Sequence, residues 1–86
     1  MSELNVNTIE FGGRKAVLNS YSDHPALVAD INRQREAWAR RFPRATVRTE
    51  RMSELECMEL VAANGGPDRY RVAYAIGAAS LEGEAA

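Results

Sequence analysis

The stretch SDHPALVADINRQREAWARRF, residues 22–42, decides how the rest of the chain is read. Its large apolar residues Leu27, Ile31, Trp38 and Phe42 are spaced by four, seven and four. At about 100° per residue they fall within a stripe of roughly 60°, the signature of an amphipathic helix. Val28 borders the stripe, Gln34 falls on it and Arg35 lies at its edge, so its middle is polar. Ser22 and Asp23 are good N-cap types and Pro25 suits the first turn, where its missing N–H is not needed. The residue before that proline, His24, is kept out of the helical region, which leaves the true cap open. Pro43 ends the helix at Phe42. Trp38 reads first as a core anchor, and second as a half-exposed interface residue, since Trp and Arg dominate such sites.

Upstream, residues 4–21 read as a β-hairpin. Leu4, Val6 and Thr8 alternate with Asn5 and Asn7, Gly12-Gly13 is a two-residue turn, and residues 16–21 return. That turn sets Glu10 opposite Lys15. The pattern changes phase at Ile9 and Phe11, which calls for a bulge near Thr8 or for cover on both faces by a partner or a second copy.

Downstream, residues 44–50 alternate as a short strand, with Ala45, Val47 and Thr49 inward and Arg48 and Glu50 outward. If this strand pairs in parallel with the hairpin, the connection through the helix is a βαβ crossover. Ser53-Glu54-Leu55-Glu56 is a capping box that opens a second helix, with Met52 and Cys57 at staple positions. Leu55, Met58 and Ala62 form a narrow apolar stripe on that helix with Val61 and Leu60 beside it, Asn64-Gly65 suits its C-cap, and Pro67 bars continuation. Tyr70, Val72, Tyr74 and Ile76 alternate with Arg71, Ala73 and Ala75, which predicts a strand over 69–77. Helical spacing of Tyr70, Tyr74, Gly77 and Leu81 is the competing pattern, at a cost of roughly 1 kcal/mol for an internal Gly77. Residues 78–86 are small and acidic and read as a flexible tail. The expected fold is a single α+β domain over 1–77, in the order ββαβαβ.

Eighty-six residues with 45% hydrophobic and 27% charged composition suit one small globular core. A net charge of −1 exerts no global pull on nucleic acid or an anionic membrane. One cysteine permits no internal disulfide and fits a reducing compartment. The first residues lack a basic-then-apolar signal sequence and no apolar run spans a bilayer, so the expectation is a cytoplasmic protein without membrane contact. Ten arginines against one lysine, with abundant alanine, hint at a GC-rich bacterial or phage genome.

Catalytic chemistry is thinly provided for. His24 and Cys57 are the sole members of their types, no His or Cys pair has metal-ligand spacing, and the acids of the second helix suit a solvated face and its N-terminal dipole. Gly12-Gly13-Arg14-Lys15 is followed by a β pattern rather than a helix, so it does not read as a phosphate loop. No catalytic residue, metal or cofactor is expected.

The uneven feature is charge. Seven arginines between Arg33 and Arg51 stand against Glu36 and Glu50, a local excess of +5, while the chain from Glu54 onward carries an excess of −4. Arg33, Arg40, Arg41, Arg44, Arg48 and Arg51 are the expected partner-binding residues. The expected function is a non-enzymatic protein-binding module, an adaptor or inhibitor, that docks an acidic protein surface through these arginines. Self-association into a homodimer, basic segment to acidic helix, is a variant of the same reading. The alternative is a nucleic-acid-binding regulator using the same arginines, although no helix-turn-helix, RRM or KH signature is present.

Overall fold

A computed structural model describes residues 3–64 and 69–82. Strands β1 (Glu3–Phe11) and β2 (Arg14–Ser22) form the hairpin. A 3₁₀ turn (Pro25–Leu27) leads into helix α1 (Val28–Arg41), followed by β3 (Thr46–Ser53), α2 (Glu54–Ala63) and α3 (Arg69–Glu82). The result is a small α+β domain in the order ββαβαα.

Gly12 and Gly13 have φ of +62° and +80°, the positive values that a two-residue turn matched to strand twist requires. Glu10 duly sits opposite Lys15. The register slips between Asn7 and Thr8, so that Leu18 is an extra residue on β2 and joins Ile9 and Ala16 in one cluster. The bulge expected near Thr8 thus lies opposite it, on β2, while β1 keeps an unbroken register with β3, so the phase change of β1 reflects ordinary alternation between two covered faces. Both faces of β1 are also covered, by the chain's own helices, so the phase change requires no partner. Val6, Asn7, Thr8 and Ile9 are buried in succession.

The sheet order is β2-β1-β3 and both pairings are antiparallel. β2 and β3 therefore run in the same direction without pairing, and the crossover through α1 is a split βαβ with β1 between its strands. Adjacent parallel pairing, the other expectation, is excluded because β1, buried on both faces, takes the central place.

Because successive strand residues point to opposite faces, two cores form. On one face Ile9, Ala16 and Leu18 pack with Phe42 after α1 and with Ala73 and Ile76 of α3. On the other, Val6, Val17 and Met52 pack with Cys57 of α2, with Leu60 and Val61 beside them. Helices α1 and α3 thus cover one side and α2 the other.

The caps resolve the openings of the helices. His24 is extended (φ −124°), and its Nδ1 accepts a hydrogen bond from the Ala26 N–H at 3.1 Å, so the histidine, and neither Ser22 nor Asp23, caps the first turn. Ser53 and Glu56 form the reciprocal capping box at α2, and Met52 and Cys57 meet in one cluster as the staple predicts. Gly65 and Pro67 lie outside the described residues.

Two expectations are corrected. Residues 69–77 belong to a helix rather than a strand, and α3 continues to Glu82. Its buried positions are Ala73, Ile76, Gly77 and Ser80, an i, i+3, i+4, i+7 stripe built mostly of small residues. The Ser80 hydroxyl donates to the Gly77 carbonyl at 2.6 Å, which satisfies it within the buried stripe. On α2 the inward stripe is Cys57, Leu60, Val61 and Asn64, whose amide donates to the carbonyls of Lys15 and Leu60. Leu55, Met58 and Ala62 point the other way, with Leu55 66% and Met58 68% exposed.

Candidate functional site

The polar interruption of the α1 stripe has a structural use. The Arg35 guanidinium donates to the Thr49 hydroxyl at 2.7 Å, that hydroxyl donates to Asn7 Oδ1 at 2.6 Å, and the Asn7 amide donates to the Ile31 carbonyl at 3.0 Å. This chain ties α1 to β3 and β1 and orients the helix across the sheet. A second polar group lies on the opposite face, where Glu50 accepts from Lys15 at 2.6 Å and from the Thr8 hydroxyl at 2.9 Å. Burial pushes the Glu50 carboxyl up, but the hydrogen bonds from Lys15 and Thr8 and the charges of Lys15 and Arg48 outweigh it and hold the carboxyl below its usual value.

With α1 so fixed, its C-terminal end meets α3. Trp38, Phe42 and Tyr74 form a mutual aromatic cluster with ring centroids 5.7–5.8 Å apart, and Tyr74 stands edge-on to both partners. Phe42 is buried, Trp38 is half-buried and Tyr74 is 42% exposed. The Arg41 guanidinium lies 4.7 Å from the centroid of the Tyr74 ring. Ala37, Trp38, Arg41 and Tyr74 line a shallow hollow of about 180 Å³.

The six expected arginines divide. Arg40 and Arg41 occupy the last turn of α1, where positive charge also complements the helix dipole, and Arg44 follows in the turn before β3. Arg33 sits two turns earlier on α1 and is paired with Asp30. Arg48 and Arg51 lie three apart on β3 and so face opposite sides of the sheet. Arg48 approaches Glu50 at 3.5 Å and Glu10 at 3.9 Å, whereas Arg51 reaches Asp23 at 3.0 Å and Glu3 at 3.4 Å. Hydrogen bonding to Arg51 holds the exposed Asp23 carboxyl below its usual range. Of the six, Arg41 alone lines the aromatic hollow, with exposed Arg40 beside it in the last turn of α1 and exposed Arg44 three residues further on, whereas Arg33, Arg48 and Arg51 are each paired with acids.

Tyr74 is the member of this site that the sequence pattern did not assign to it. Its spacing of four from Tyr70 is the signal, legible once 69–82 is read as a helix. The Tyr70 hydroxyl accepts a hydrogen bond from the Asn19 amide at 3.2 Å, with Tyr21 nearby. Burial, followed by the charges of Asp30 and Tyr70, pushes the Tyr21 phenol up, and the Asp30 beside it is half-exposed and paired with Arg33. A phenol held protonated in this way is the reverse of an activated base.

Among the described residues no group of three or more His, Cys, Asp or Glu side chains could hold a metal ion. No helix among them is long and apolar enough to cross a membrane. Comparison with family models, with curated proteins and with solved structures finds no match.

Proposed function

We propose that this chain is a non-enzymatic protein-binding module, of the adaptor or inhibitor kind, that docks an acidic surface through the basic, aromatic end of α1. The observation that carries this reading is the Arg41 guanidinium over the exposed Tyr74 ring, beside half-buried Trp38. Trp, Tyr and Arg are the residue types that dominate interface energetics, because each buries a large apolar body and retains a polar or charged contact. The hollow has the size of one apolar side chain, Arg41 lines it, and in this reading Arg40 and Arg44, exposed at the same end of α1, meet acids of the partner beside it. The partner chemistry is thus an apolar anchor flanked by carboxylates.

A nucleic-acid reading has one observation in its favour, since Trp38 and Tyr74 offer ring surface on which a base stacks, next to arginines. The pairing of Arg33, Arg48 and Arg51 with acids weighs against it, because no basic stripe then extends along a phosphate backbone. Labelled single-stranded and duplex DNA and RNA titrated across a salt series separate the two. The protein-binding reading expects no binding at physiological salt. Micromolar or tighter binding that weakens steeply with salt, and that is lost in Arg40→Glu/Arg41→Glu/Arg44→Glu, would replace it with the nucleic-acid reading.

A further inference from the structure

The outward face of α2 is the other unusual surface of this molecule. Leu55, Met58 and Ala62 lie at i, i+3 and i+7 and form one exposed apolar stripe, in which Leu55 and Met58 are each about two-thirds exposed. Exposed Glu54 and Glu59 border the stripe on its two sides, and α2 contains no basic residue at all. The surface is therefore an apolar strip flanked by carboxylates, which is the chemistry that the hollow at the end of α1 is built to receive.

We infer that the occupant of this face is the basic, aromatic surface of a second copy of this chain. The inference rests on the protein-docking reading of the α1 end and names its partner. Charge decides between the two ways in which copies can meet. An α2-to-α2 contact would set Glu54 and Glu59 against the same carboxylates of the other copy with no cation on either helix, and Arg51, which shares a hollow with Glu54, is already paired with Asp23 and Glu3. A contact of α2 with the other copy's α1 end sets those carboxylates against Arg40 and Arg41, and brings Leu55 or Met58 to the hollow between Trp38 and Tyr74. The two surfaces lie on opposite sides of the sheet, because α2 covers one face and α1 with α3 the other. Each copy thus has both halves of the contact available at once. Such a contact is head-to-tail rather than two-fold symmetric, and assemblies grow by successive addition or by closure of a ring.

Sedimentation velocity of the full chain over a wide concentration range tests this. The expected result is an average mass that rises with concentration and falls with added salt. Leu55→Asp/Met58→Asp and Arg40→Glu/Arg41→Glu each weaken association at least tenfold. All four positions are exposed, and unchanged circular-dichroism melting confirms that each variant is folded. Glu54→Arg/Glu59→Arg on its own also stays monomeric, and an equimolar mixture of it with Arg40→Glu/Arg41→Glu associates again, because each variant then offers the complement of the other. A wild-type chain that is monomeric at every concentration overturns the inference, as does association that responds to the α2 changes and not to the arginine changes. Capture of a different protein through Arg40 and Arg41 by a monomeric chain leaves the docking surface standing without self-association. Loss of neither association nor capture in Arg40→Glu/Arg41→Glu overturns the docking surface itself.

Discussion

The ring of Phe42 rests on the backbone of Gly77: a Cβ at Gly77 would fall 2.5 Å from Cδ2 of the ring. This contact joins the residue that ends α1 to the middle of α3, directly beneath the Trp38–Tyr74 hollow. It explains a glycine inside a helix, where helix propensity alone favours alanine by about 1 kcal/mol. Gly77→Ala is expected to destabilise the protein by about 1–3 kcal/mol in urea unfolding, because a Phe42 ring buried in the core cluster must shift to admit the methyl group. Phe42→Leu in the same chain should recover part of that loss. A stabilising Gly77→Ala would contradict the contact.

Thr49→Val tests the polar chain that fixes α1. The substitution keeps the shape and removes the hydroxyl, leaving Arg35 and the buried Asn7 without their shared partner. The expected cost is about 1–3 kcal/mol. Combined with Asn7→Leu, the pair should show a coupling of at least about 0.5 kcal/mol in a double-mutant cycle. Additive effects would mean that the two residues act independently.

Glu50 gives the fold an acid-side dependence. Its carboxyl is held below its ordinary value, so its contribution is complete above about pH 4.5 and is lost as pH falls through the lowered folded-state value. Glu50→Gln should lower stability at neutral pH by roughly 1 kcal/mol, a figure kept small by partial solvent screening. Relative to wild type, the variant should also lose less stability below about pH 4.5. Parallel stability–pH curves would show that Glu50 has no such role.

The outward orientation of Leu55 and Met58 has a simple stability test. In a monomeric sample Leu55→Gln and Met58→Gln should each change unfolding free energy by less than about 0.5 kcal/mol. Leu18→Ala, within the α1–α3 core, should cost about 2–5 kcal/mol. Equal losses at all three positions would place the α2 stripe in the core.

What could be read from the sequence was whatever depended on local chemistry. The glycine turn with its Glu10–Lys15 register, the stop at Pro43 and the Ser53 capping box are all set by neighbours in the chain. Residues 69–77 carry a strand-like pattern although they are helical, because the buried stripe of α3 is Ala73, Ile76, Gly77 and Ser80. At Gly77 the Phe42 ring occupies the space a side chain would need. A search for large apolar residues instead finds Tyr70, Val72, Tyr74 and Ile76, of which the two tyrosines are exposed. The α2 stripe misleads for the complementary reason: Cys57 and the capping Asn64 face the sheet, while the larger Leu55 and Met58 face away. The arginine segment is visible as charge, but its division is not, since Arg48 and Arg51 are separated by the pleat and, besides the neighbouring Glu50, meet Glu10, Glu3 and Asp23, which are distant in sequence.

The central claim is that the end of α1 docks a protein, and paired affinity capture tests it most directly. Wild type and Arg40→Glu/Arg41→Glu/Arg44→Glu, each immobilised as the full folded chain, are exposed to the same lysate, and retained proteins are quantified by mass spectrometry. Added, untethered chain is counted as one of the candidates. The account predicts at least one protein, a second copy of this chain included, that wild type retains and the variant loses by tenfold or more. Identical retained sets on the two baits would contradict it.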